Sequence, residues 1–156
     1  MARIVNHARP RSVDLYWQLT ERKNQLVAHV LANMRQQGIS AILCPPHALP
    51  AMPHVKAFDL LAAASYSMVI NLLGLPSGTL ATTRVRSGED TGRSSARDRV
   101  LRRAVQTDAG SVGLPVGVQI SALPWREDIV LALMGSLEKW SAVKHDYPGS
   151  YVVPSQ

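Results

Sequence analysis

From Leu60 to Thr83 the chain carries no charged residue. A run of that kind belongs either in a bilayer or in a protein core. Ser65, Ser67 and Asn71 interrupt it, and Gly74 and Pro76 break it. The part compatible with a helix, residues 60–73, falls short of the roughly 20 residues that a spanning helix needs. The expectation is therefore a buried helix over residues 58–73, ended by Gly74, and an apolar strand over residues 78–83.

Whatever covers that run must come from the rest of the chain. Residues 12–37 place Leu19, Leu26, Val27, Val30, Leu31 and Met34 on one face at helical spacing. Ser12 suits the cap, Asp14 the first turn and Gly38 the stop. Residues 41–44, Ala-Ile-Leu-Cys, read as a short strand halted by Pro45 and Pro46, which open a Pro-rich loop. Residues 116–121 read as a third strand. Residues 126–143 read as a last helix, with Val130, Leu133, Met134 and Leu137 on one face and Glu127 and Asp128 at its positive end. The order is α-β-α-β-insert-β-α. Strands apolar at most positions suit a sheet covered by helices. Three strands make a small sheet with open edges, so the fold expected is α/β, a three-stranded portion of a larger mixed sheet covered by helices. The 156 residues amount to one domain by length, here a single partial one.

The charge is uneven. The formal net charge is +6. Residues 84–103 hold seven arginines (Arg84, Arg86, Arg93, Arg97, Arg99, Arg102 and Arg103) against Glu89, Asp90 and Asp98. Residues 84–112 are read as a polar, Arg-rich insert, with a helix near residues 95–106. No aromatic residue interleaves to stack bases, so a solvated surface is favoured over a nucleic-acid interface. The single Cys44 excludes an internal disulfide. The first residues, MARIVNHARPRS, lack the apolar core of a signal peptide. The expected location is the cytoplasm or a membrane surface.

Cys44, His47 and His54 have the spacing C-x2-H-x6-H, which matches no common zinc pattern and offers no fourth ligand. Nothing in the sequence orients His47 toward Cys44 as a nucleophile pair needs. His7, His29 and His145 read as surface residues. No glycine-rich phosphate loop is present, because Gly113 and Gly117 precede or sit within a strand. In Gly92-Arg93-Ser94-Ser95-Ala96, one glycine and an arginine stand where an oxyanion loop needs aimed backbone donors, so neither serine is read as a nucleophile.

The sequence twice sets Gly-Leu-Pro before a strand, at residues 74–76 and 113–115. Glycine permits a positive φ, and proline fixes φ and cannot donate to a ladder. The pair is therefore a sharp entry into a sheet. Asn71 three residues before the first Gly-Leu-Pro, then a strand, an insert, residues 113–119 (Gly-Leu-Pro-Val-Gly-Val-Gln), a strand and a helix opening with Glu127 together resemble the C-terminal part of the amidase-signature hydrolases. Ser65-Tyr66-Ser67-Met68 with Asn71, and Ser121-Ala122-Leu123-Pro124-Trp125, look most like the fatty-acid amide hydrolases within that family. Pro45, Pro50 and Pro53 fall where the family has a Pro-rich loop. The resemblance covers roughly residues 11–140.

The resemblance implies cleavage of amide bonds, here of fatty-acid amides, by acyl transfer to a serine. A lysine acts as base through a second serine, with no metal or organic cofactor. It implies a large mixed sheet, a long apolar acyl channel, and peripheral membrane contact near the channel mouth. It places Trp125 against that channel and Leu61, Ala64 and Met68 along its helical wall. Those three, spaced three and four apart, share a helix face. Plain core packing competes evenly for Met68 and Trp125 and is favoured for Leu61 and Ala64. The catalytic lysine and serines of such enzymes lie in an N-terminal Gly-Gly-Ser-Ser-Gly-Gly-type stretch. The lysines here, Lys23, Lys56, Lys139 and Lys144, stand in no such motif. The chain is thus expected to need a missing N-terminal amidase part as partner and to be inactive alone. The alternative of a different class is a stand-alone, non-catalytic lipid-binding or regulatory module derived from an amidase.

Overall fold

A computed structural model describes residues 10–54, 57–94 and 98–149. Helix α1 (Val13–Gln36) starts where expected: the Ser12 side chain accepts from the Leu15 N–H at 3.2 Å. Strand β1 (Ala41–Cys44) follows. A 3-10 segment, Ala57–Ala64, runs into α2 (Ser65–Leu73). Then come β2 (Ser77–Arg84), α3 (Arg99–Asp108), β3 (Pro115–Ala122) and α4 (Glu127–Ala142). The result is a mixed α/β fold in which three strands form one antiparallel sheet in the order β1-β3-β2.

The two Gly-Leu-Pro entries do the same work by two routes. Gly74 is the left-handed residue that ends α2, at φ +67°. The Leu75 N–H returns to the Ile70 carbonyl, and Leu75 packs with Ile70 and Leu73, the contact that accompanies such a cap. Gly113, at φ +83°, is the third residue of a turn closed by Leu114 N–H to Ser111 O. Pro76 then accepts from the Ala122 N–H, while Pro115 begins the central strand, the one place there that tolerates a missing donor.

Alternation along β3 sends its side chains to two unlike faces. One face meets α4, which packs across β2 and β3. Here Ile120 is fully buried, and Gly78 opposite it leaves room for Met134 and Val130. The other face is polar at its centre, with Gln119 and Ser121 both buried. Above it α2 packs against the second half of α1, through Ile70, Leu73 and Leu75 against Val27, Val30 and Leu31. A second apolar cluster joins Leu49, Leu60 and Ala104, so α3 packs the apolar side of an otherwise charged helix onto the loop after β1.

Two expectations change. The helix expected over residues 58–73 is a 3-10 segment and an α-helix, with non-helical backbone at Leu60. It is also not buried all round. Leu60, Ile70 and Leu73 are inside, whereas Leu61, Tyr66, Met68, Val69 and Leu72 are exposed. One helix face is all that α1 and the loop after β1 reach. The apolar face expected for α1 is likewise only half used, since Leu19 and Leu26 stay exposed beside Tyr16 and Trp17. Among the described residues no helix is long and apolar enough to cross a membrane.

Candidate functional site

Trp125 sits in the turn between β3 and α4. Arg126 N–H donates to Leu123 O at 3.1 Å, with Pro124 second and Trp125 third in the turn. Trp125 has φ +66°, and no other non-glycine described residue has a positive φ. A turn with proline second and positive φ third is the arrangement that favours glycine there. A tryptophan carries a strain of roughly 1–2 kcal/mol in that region. Yet the indole gains almost no burial in return, because it is 90% exposed. The turn therefore presents a large apolar side chain outward at a cost in stability.

Leu61, Ala64 and Met68 keep a common face despite the change of helix type. In a 3-10 segment residues three apart eclipse, which aligns Leu61 with Ala64. The α-helical step of four then aligns Ala64 with Met68 and Met68 with Leu72. Leu61 is 42% and Met68 48% exposed, so neither fills the core of this chain. Leu61 and Met68 are thus exposed along this stripe, with the half-buried Ala64 between them. Trp125 is carried by a different element, the turn after β3.

A polar network to which the sequence reading gave no role links α2 to the sheet. Ser67, one position before Met68, donates to Pro46 O at 2.5 Å and lies 3.0 Å from Gln119 Oε1. Gln119 Nε2 donates to Ser77 Oγ at 2.8 Å, and Ser77 lies 2.9 Å from Ser121 Oγ. This chain of polar groups ties α2 and the loop after β1 to the centre of the sheet, and so holds the Met68 stripe in place. A buried glutamine in a strand needs partners, and that was the available signal. Their identity depends on which elements face one another.

The Pro-rich loop, residues 45–52, walls an apolar cleft of about 530 Å3 with Pro115, Val116 and Gly117. Leu61, Ala64, Met68 and Trp125 do not line it. His47 is held within this loop by the Leu49 N–H, which donates to Nδ1 at 3.2 Å. Cys44, a free thiol whose pKa is raised by burial, lies at the strand end. Among the described residues no three His, Cys, Asp or Glu side chains form a group able to hold a metal ion. Ser94 is exposed on the loop before α3, and Ser95 lies outside the described residues. Two of the arginines of residues 84–103 pair with carboxylates from elsewhere in the chain: Arg93 with Asp108 at 2.6 Å and Arg86 with Asp146 at 2.7 Å.

Comparison with known proteins agrees with this architecture. The model of the Amidase family matches residues 2–131. Fatty-acid amide hydrolase 1 of Sus scrofa is 29% identical over 149 residues, which cover 91% of this chain and 25% of that protein. Fatty acid amide hydrolase 1 of Caenorhabditis elegans is 30% identical over 108 residues, 67% of this chain and 19% of that one. A solved fatty acid amide hydrolase superposes with a TM-score of 0.69 at 23% identity, covering 87% of this chain and 25% of its own. The chain thus spans about a quarter or less of the length of these relatives. With the family model matched over most of its length, and with the fold of a fatty acid amide hydrolase, this chain belongs to the amidase family.

Proposed function

We propose that this chain is the C-terminal segment of an amidase-signature hydrolase that cleaves fatty-acid amides, and that it supplies a wall of the acyl channel rather than the reacting groups. Residues 1–156 then form one partial domain of a larger mixed sheet, with residues 84–112 as its Arg-rich insert. Trp125, Met68, Ala64 and Leu61 contact the acyl chain. The Ser-Ser-Lys machinery comes from an N-terminal amidase part, no cofactor takes part, and the exposed apolar surface includes a peripheral membrane contact. The observation that carries this reading is Trp125, a strained and outward-facing indole whose exposure has no rationale inside the chain. The exposed stripe of Leu61, Met68 and Leu72 supports it, as an apolar surface left for another part of a larger fold.

The test is acyl-length dependence. The chain alone is expected to leave long-chain fatty-acid amides intact, and turnover abolished by a serine-directed fluorophosphonate would overturn that part. Joined or co-expressed with the N-terminal part, it should restore hydrolysis. Trp125→Ala should then reduce kcat/KM more as the acyl chain lengthens, since each buried methylene contributes about 0.8 kcal/mol. Met68→Ala should act in the same sense but less, because a flexible thioether is easily replaced by chain movement. Equal losses on short and long amides would overturn the channel assignment.

A further inference from the structure

A second cleft, of about 550 Å3, shares no lining residue with the stripe or with Trp125. Thr82 and Thr83 of β2, Arg86, Trp140 at the end of α4, and Lys144, His145 and Asp146 line it. Its wall is built rather than incidental. The Arg84 guanidinium donates to Gly113 O at 2.7 Å and also to Pro148 O, which fastens the segment after α4 against the end of β2. Lys144 N–H to Ser141 O and Tyr147 N–H to Lys144 O close two successive turns in that segment.

The charges in the cleft do not cancel. Arg86 and Lys144 are basic side chains, and Asp146 is the one carboxylate in the lining. Asp146 is divided between Arg86 Nε at 2.7 Å and His145 Nδ1 at 3.3 Å. The terminal nitrogens of Arg86 remain as paired planar donors. No ion pair joins Lys144 to Asp146. The Lys144 Nζ stands 4.6 Å from the centre of the Trp140 ring, and Trp140 as a whole is 60% exposed. The cleft therefore offers two cationic donors for an oxyanion beside a largely exposed aromatic side chain for an apolar body.

We propose that this cleft binds a phosphate monoester carried on a flat or apolar group, with Arg86 and Lys144 holding the phosphate and Trp140 stacking the body. This site is independent of the acyl-channel reading. Its oxyanion can come from a soluble phosphate ester or from a lipid headgroup, since both present the same oxygens.

The experiment follows the Trp140 indole N–H resonance of the full 156-residue chain, assigned by its loss in Trp140→Phe. The probes are phenyl phosphate, uncharged phenol, and vesicles of phosphatidylcholine with or without phosphatidic acid. Phenyl phosphate should shift the resonance saturably and phenol should not. Arg86→Ala should weaken binding about tenfold, the loss typical of one charged hydrogen bond. Because that variant also releases Asp146, Lys144→Gln serves as the second test and should weaken binding while leaving the Arg86–Asp146 pair intact. A response only to vesicles with phosphatidic acid assigns the site to a lipid headgroup. A response to phenyl phosphate assigns it to soluble esters. No response to any phosphate probe, an equal response to phenol, or unchanged binding in both variants would overturn the proposal.

Discussion

Replacing Trp125 by glycine and by alanine separates a side chain held out for use from one that stabilises the fold. The residue has φ +66° and is 90% exposed. Alanine keeps a Cβ and hence the left-handed strain of roughly 1–2 kcal/mol, whereas glycine removes it. Glycine in turn makes the unfolded chain more flexible, which costs about 0.4–1 kcal/mol. The indole contributes little in either case. A tenth of a large aromatic surface, at about 25 cal/mol per Å2, comes to roughly 0.5 kcal/mol. Trp125→Ala should therefore destabilise by about 0.5 kcal/mol, and Trp125→Gly should be about 0.5–1 kcal/mol more stable than Trp125→Ala. Urea unfolding followed by circular dichroism measures both. With the N-terminal part present, both variants should lose activity on long-chain amides. Stability and activity would then move independently, since Trp125→Gly should keep or slightly raise stability while it loses activity. A loss near the 3–5 kcal/mol typical of a buried tryptophan, in both variants, would refute the reasoning, because it would mean that the indole is packed in the core.

Three other outcomes follow from the packing and the charges. At Gly78 an added Cβ would lie 2.2 Å from Met134 Sδ and 3.2 Å from Val130 Cγ1, so Gly78→Ala should cost about 1–3 kcal/mol in unfolding experiments, and Met134→Ala should recover part of it. Gln119→Leu strips the buried partner from Ser67 and Ser77, and should cost about 1–3 kcal/mol with faster exchange of the α2 amides; Ser67→Ala should cost less, since it leaves the Ser77 side intact. Asp146 has its carboxyl pKa lowered, by the hydrogen bond from His145 first and then that from Arg86. A lowered folded-state pKa stabilises above the ordinary aspartate value of about 3.9 and loses that contribution as pH falls through the folded value. The segment after α4 should accordingly loosen only on the acid side of that range, as read from the Trp140 resonance, and Asp146→Asn should remove the acid step.

Most of the elements were legible in the sequence, because the signals that start and stop them are local. The Ser12 side chain, Gly38 and Gly74 act within one helical turn, and each marks the end of a helix in the structure. The Gly-Leu-Pro pairs act on the next residue or two, and both lead into strands. The order of helices and strands, the family and the face shared by Leu61, Ala64 and Met68 were readable for the same reason. What the sequence left open depends on residues far apart in the chain. The antiparallel order β1-β3-β2 is set by which strands meet, which residue spacing within a strand does not encode. The arginine-rich segment reads as a polar insert with one helix until the partners from elsewhere are known: Asp146 for Arg86, Asp108 for Arg93, and the carbonyls of Gly113 and Pro148 for Arg84. The apolar run from Leu60 onward determines that something must cover it. Only the tertiary structure decides that α1 and the loop after β1 cover one face and leave Met68 on the other. Hydrophobicity is a property of a side chain, while burial is a property of its neighbours.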